Sequence, residues 1–170
     1  MQDDILETVT DDNHNRKYVL LGAIAIAILL LWIGFVMVVN SKKPEPIVLQ
    51  KMAQTIKGIY FTKTNQALIK QIRENWIPND IFWPTVLLDN MPNFQIGQLE
   101  VVRYNARVLR DNLSRMRTTD KLDPHAEEAF TSLSNDPYKW WFPSAESKWK
   151  LGYEKLDLFA QNLIAGKSHF

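Results

Sequence analysis

The longest apolar run in the chain is Tyr18 to Val39, YVLLGAIAIAILLLWIGFVMVV, which holds no charged residue, no Pro and no strongly polar side chain. As a helix rising about 1.5 Å per residue it is roughly 33 Å long, enough to cross a hydrocarbon core of about 30 Å. A helix is the form expected there, because in lipid every backbone N–H and C=O must find its partner within the segment. A secretory leader has a shorter apolar stretch that ends in small residues. This one ends Val38-Val39-Asn40-Ser41 and reads as an uncleaved anchor. A buried core helix would be shorter and broken by a polar position.

The pattern changes on both sides. Residues 1–15 are polar and acidic without apolar periodicity; with Arg16 and Lys17 they read as a mobile tail, 1–17. Residues 40–46, NSKKPEP, form a short extended linker, since Pro44 and Pro46 each disfavour helix at the preceding residue. From Ile47 onward Leu49, Met52, Ile56, Ile59, Leu68, Ile72 and Trp76 recur mostly three or four apart. That spacing predicts one long helix as far as Trp76, with a weak point at Gly58. Between 76 and 93, Pro78, Pro84 and Pro92 punctuate an apolar, aromatic segment, which predicts an ordered and packed loop with one helical turn around Thr85–Leu88.

The most regular seam follows: Leu99, Val102, Ala106, Leu109, Leu113 and Met116, the stripe of a helix packed lengthwise on others. Asp123-Pro124 joins a capping side chain to Pro at the first helical position and opens a short helix to about Ser134. Ser144 caps a last helix with the seam Trp149, Tyr153, Leu156, Ala160 and Leu163, closed by Gly166. No β-type alternation of useful length occurs. The expected fold is all-α: one N-terminal transmembrane helix (18–39), then an irregular helical bundle (47–170) of three long helices and one short, with aromatic, Pro-rich loops.

Composition adds little to this and removes several options. There is no cysteine, which excludes disulfides, thiol catalysis and cysteine-ligated metal. The net charge of +1 gives no global attraction to nucleic acid. Five of the six Trp lie outside the span, which favours a domain with a real core or an aromatic contact surface. Orientation turns on which charges count. Lys42, Lys43, Lys51 and Lys57 outnumber Arg16 and Lys17, but the positive-inside rule weighs short segments, and long domains translocate largely regardless of charge. The short tail is therefore expected in the cytoplasm and the domain outside.

Within the span, Ala23, Ala27 and Gly34 share one stripe with Leu30 between them, a spacing that lets a second helix approach, although small residues are common in spans generally. Tyr18 sits at the edge of the span; Trp32 is too deep for an interfacial belt and is expected to face a partner. His14, His125 and His169 show no ligand spacing, and neither a phosphate-binding glycine loop nor a nucleophile motif occurs, so no metal, cofactor or catalytic residue is assigned. Asp80, Asp89, Asp120, Asp123, Asp136 and Glu146 lie in or beside the aromatic loops, where a carboxylate pair over an aromatic floor would suit glycan cleavage. Asp before Pro or at a helix start is more often a cap or turn residue. Arg103, Arg107, Arg110, Arg115 and Arg117 flank the regular seam, partly paired with Glu100 and Asp111. Such a face meets an acidic partner or anionic lipid, or is simply solvated.

At LLDNMPNFQIGQLEVVRYNARVLRDNLSRMRTTDKLDP and again at NDPYKWWFPSAES, the sequence resembles a family of uncharacterised bacterial inner-membrane proteins. These carry one N-terminal span and a helical, tryptophan-rich periplasmic domain of unknown function. The resemblance covers most of 18–170. It implies a bacterial envelope location with the tail inside, and it carries no reaction and no site residues. Members are longer, which implies a shorter variant or a chain that ends early.

The reading that follows is a non-enzymatic, membrane-anchored envelope scaffold. It would contact the bilayer through its span and a protein partner through Trp83, Trp140, Trp141, Phe142, Arg103, Arg107 and Arg110, without nucleic acid. Two alternatives stay open: an envelope hydrolase acting on glycan or peptidoglycan with loop carboxylates such as Asp80 and Asp136, and a subunit of a larger membrane complex, homo- or hetero-oligomeric, joined through Ala23, Ala27 and Gly34.

Overall fold

A computed structural model describes residues 2–49, 56–81, 84–115 and 121–170. Among them are five α-helices and no strand: α1 (Gln2–Asn40), α2 (Ile59–Glu74), α3 (Asn90–Val108), α4 (Pro124–Leu133) and α5 (Ala145–Ile164). Met1–Ser41 and Lys42–Phe170 form two separate units. Lys51, Met52, Trp83, Met116, Arg117 and Asp120 lie outside the described residues.

Within α1 the stretch Arg16–Asn40, of mean hydropathy 2.9, is long and apolar enough to cross a membrane. Helix also runs back to Gln2, through a stretch in which no apolar period predicts one. No Gly or Pro occurs between Gln2 and Leu21, so nothing in the backbone chemistry stops the helix there. At the other end Asn40 Nδ2 donates to the Val36 carbonyl at 2.8 Å and Ser41 Oγ to that of Val38 at 2.9 Å, covering carbonyls the helix leaves open.

The chain stays irregular beyond the expected linker, through Leu49, and the helix predicted from Ile47 begins at Ile59. Gly58 is its start and not a weak point within it: φ is +84°, left-handed backbone that a residue with a Cβ adopts at a cost. The expected turn at Thr85–Leu88 is a single 3-10 turn, Pro84–Leu87. α3 opens at Asn90, with Pro92 in its first turn, where a missing N–H costs no hydrogen bond. Packing of this loop is partial: Trp76, Ile77 and Thr85 are buried, whereas Ile81, Val86 and Leu87 are exposed.

The bundle is built on α5, which α2 crosses in the opposite sense. Lys63 Nζ meets Asp157 Oδ1 at 2.8 Å near one end of the pair, and Arg73 Nε donates to the Glu146 carbonyl at 3.2 Å near the other. Between them Gln66 Nε2 reaches the Tyr153 carbonyl and Asp157. α4 lies close on α5 at Gly152, where a Cβ would fall 2.9 Å from buried Leu133, and Lys155 pairs with Glu128 alongside. α3 closes the core with Leu99, Val102 and Ala106, and Leu109 just after it continues the predicted seam. The regular helix was expected to continue to 117, but after Val108 it widens into a π-helical turn, Leu109–Leu113. There Ser114 N–H reaches the Leu109 carbonyl at 2.9 Å, and Ser114 is buried while Leu113 packs against the edge of the core. Asp123 accepts from the backbone N–H groups of His125 and Ala126, and Ser144 from that of Ser147, the two caps read from sequence.

Two expected outcomes follow from this packing. Gly58→Ala should lower stability by about 1–2 kcal/mol, the cost of a left-handed non-glycine residue, and more if the Phe170 ring beside it cannot move aside; a urea midpoint unchanged from wild type would refute this. Asp157 is held below the usual carboxylate range by the hydrogen bond from Lys63, against the opposing effect of burial, with Gln66 and Gln161 adding donors. A depressed folded-state value means the stabilisation is present above the unfolded pKa of about 3.9 and is lost as pH falls through the folded value. Asp157→Ala should therefore cost about 1 kcal/mol at neutral pH and progressively less in acid. Denaturation curves measured across that pH range check it.

Candidate functional site

The outer face of α3 brings Glu100, Arg103, Tyr104 and Arg107 onto one stripe beside the buried seam, because these positions lie three and four apart. Together with Phe130 and Ser134 of the α4 region they line a groove of about 260 Å³. The three arginines predicted for this face behave differently. Arg103 turns inward: its Nε donates to the Leu133 carbonyl at 2.8 Å, one Nη to the Asn135 carbonyl and the other to Glu100 Oε1 at 2.6 Å. A guanidinium there neutralises the carbonyl end of α4. Its fork is thus committed within the fold, which a reading of it as a contact residue did not foresee.

Arg110 clamps its neighbour Asp111 through two hydrogen bonds, 2.6 and 2.9 Å, and lies 4.0 Å from the centre of the Phe130 ring. The pairing holds the Asp111 carboxyl below its usual range and raises Arg110. Arg107 is different again. It is exposed, sits 5.6 Å over the same ring, and forms no ion pair among the described residues. Tyr104 beside it is 66 % exposed. Neither Tyr104 nor Phe130 was singled out by sequence; the available signal was a large aromatic residue off the apolar seam, directly after Arg103.

The second surface is the loop between α4 and α5. Trp140 and Trp141 are exposed and stacked, ring centres 5.2 Å apart, and Phe142 is 98 % exposed ahead of a cis peptide to Pro143. The loop is nonetheless pinned. Trp76 Nε1 donates to the Pro137 carbonyl at 3.1 Å, Tyr138 N–H to Asp136, and Ala145 N–H to the Lys139 carbonyl. Two other tryptophans, Trp76 and Trp149, are buried core. Trp83, the remaining predicted contact residue of the loops, is outside the described residues. In α1, a Cβ at Gly34 would meet open space, and Tyr18 and Trp32 are exposed, as are Ala23 and Ala27.

The loop carboxylates have local tasks. Asp80 accepts from Thr85 Oγ1, Asp123 caps α4 and accepts from Ser168, Asp136 orders the turn at Tyr138, and Glu146 accepts from Asn79. Asp89 precedes α3 without a capping bond. Among the described residues no group of three or more His, Asp or Glu side chains is placed to hold a metal ion.

The arginines give a sharp test of this division of labour. Arg103→Ala should cost about 2 kcal/mol, since it strips charge-assisted bonds from two carbonyls, whereas Arg107→Ala should stay within about 0.5 kcal/mol of wild type. Equal losses in chemical denaturation would contradict the assignment.

No curated protein and no solved structure matches the chain. A family model does, over residues 13–169, taking in both the apolar helix and the bundle. The chain therefore belongs to that family, described as an uncharacterized protein conserved in bacteria (DUF2333).

Proposed function

We propose that this chain is a single-pass protein of the bacterial inner membrane whose helical domain works outside that membrane as a non-enzymatic scaffold, holding a protein partner in the α3–α4 groove. The length and apolarity of Arg16–Asn40 support the anchor, and the bacterial family supports the setting. Arg16 and Lys17 favour a cytoplasmic tail, because short flanking segments obey the positive-inside bias most strongly. Asp80, Asp123, Asp136 and Glu146 are taken up by hydrogen bonds within the fold, which gives a hydrolytic reading no support.

The observation that carries the binding reading is the pairing of exposed Tyr104 with exposed Arg107 on the rim of a groove beside Phe130. At about 260 Å³ the groove is smaller than the roughly 300–1,000 Å³ typical of small-molecule sites, and it suits one or two side chains of a partner. Tyr and Arg are the residue types that most often dominate binding energy at interfaces. Phe130 offers apolar contact and Arg107 a counter-ion, so the complementary segment is an acidic residue beside an apolar one.

Photo-reactive residues at Tyr104 and, as a control, at Ile164 on the end of α5 test this in cells. The Tyr104 position should capture a discrete protein that the Ile164 position does not. Capture should drop about tenfold or more with Arg107→Glu and recover with Arg107→Lys. Capture that ignores the charge at 107 would sink the proposal.

A further inference from the structure

The loops at one end of the bundle carry a cluster of apolar side chains that the scaffold reading leaves unused. α2 ends there, and α3 and α5 begin there. Arg73 at the end of α2 bonds to Glu146 at the start of α5, and Asn79 bonds to the Glu146 carboxylate at 2.9 Å. Gln95 in α3 accepts from Ile77 N–H at 3.1 Å and donates to the Asn75 carbonyl at 2.5 Å. Trp76 holds Pro137. The α2–α3 and α4–α5 loops are thus fastened to the same end, and they expose Ile81, Val86, Leu87, Trp140, Trp141 and Phe142.

The chain leaving the apolar helix is fastened to this end too. Gln71 Nε2 donates to the Glu45 carbonyl at 2.8 Å, and Lys43 Nζ lies 5.9 Å from the centre of the Phe94 ring, in the first turns of α3. Both contacts lie within the unit Lys42–Phe170. Asn40 ends the apolar helix, and the five residues from there to Glu45 reach at most about 18 Å. A span at Arg16–Asn40 would thus be tied to Glu45 by only five residues of chain.

We infer that this end is a lipid-contact face: Trp140, Trp141, Phe142 and Leu87 enter the headgroup–acyl boundary of the bilayer, giving the domain a second attachment beside its anchor. The inference rests on the reading of Arg16–Asn40 as a span. Indole rings, with an apolar body and one polar N–H, concentrate at membrane–water boundaries, and Lys139 in the same loop suits anionic headgroups. Large apolar side chains exposed together mark interaction or membrane sites. A backbone pinned from three sides also presents the rings at little further ordering cost.

The absence of cysteine makes the test direct, because any introduced Cys is a unique labelling site. The full chain, reconstituted in vesicles of phosphatidylethanolamine and phosphatidylglycerol, would carry a fluorophore at Phe142→Cys, Leu87→Cys, Ile164→Cys or Trp32→Cys. Quenching by lipids with a nitroxide on the upper acyl chain is then measured. Labels at 142 and 87 should be quenched at least twice as strongly as the label at 164, on the opposite end of α5, with the label at 32 reporting the span. If 32 is quenched while 142 and 87 match 164, lipid docking is refuted and the anchor stands. A label at 32 that escapes quenching refutes the anchor, and the docking proposal falls with it. A label at 142 that stays unquenched in vesicles and changes only when a protein is added marks a protein site and overturns the lipid assignment.

Discussion

The edge-on contact between Trp76 and Trp149, ring centres 4.6 Å apart at 82°, is the point on which the packing of the unit Lys42–Phe170 turns. It joins the last turn of the α2 region to the first turns of α5, and both rings are buried. An aromatic pair of this geometry contributes about 0.5–1.5 kcal/mol beyond the burial of its surface. Its larger effect is positional. The indole N–H of Trp76 continues outward to Pro137, so the same residue that closes the core also sets where the aromatic loop begins. Gln95 repeats the device from α3, with its amide reading the chain on both sides of Trp76. The loops at one end of the bundle are therefore fastened to its core by side-chain hydrogen bonds.

Elements announced by local chemistry were legible in the sequence. Asp123-Pro124, Ser144 and Gly166 mark helix ends because a cap or a left-handed residue acts within three or four positions, and the structure places each where its chemistry demands. The seam from Leu99 to Leu109 was legible because one face of a long helix is buried throughout. What failed was anything set by distant partners. Ile47, Val48 and Leu49 continue an apolar pattern but form no helix, while Gly58 fixes the true start of α2 against Phe170, which lies far along the chain. The π turn after Val108 is equally invisible to periodicity, because one extra residue per turn is absorbed without changing the composition of the stripe.

The candidate site was legible as a set of residue types and illegible as a set of roles. Arg103, Arg107 and Arg110 look equivalent in sequence. Only the fold shows that the first is aimed at the end of α4, the second left facing outward and the third locked to Asp111. Tyr104 gained significance only once Phe130, on another helix, was placed beside it. The two predicted contact surfaces also became distinct. The groove belongs to α3 and α4, and the aromatic loop to the fastened end of the bundle, with Arg103 touching both through the carbonyls of Leu133 and Asn135.

The way the arginines are spent bears on how anything first finds this face. Glu100 offsets Arg103 and Asp111 offsets Arg110, each within hydrogen-bond distance. At more than a Debye length, about 8 Å in physiological salt, two of the three charges have largely cancelled. These three arginines thus project a weaker field than their number suggests, and draw a distant acidic molecule less than three unopposed charges would. Under the binding reading proposed above, recognition there would rest on fit after collision more than on attraction at range.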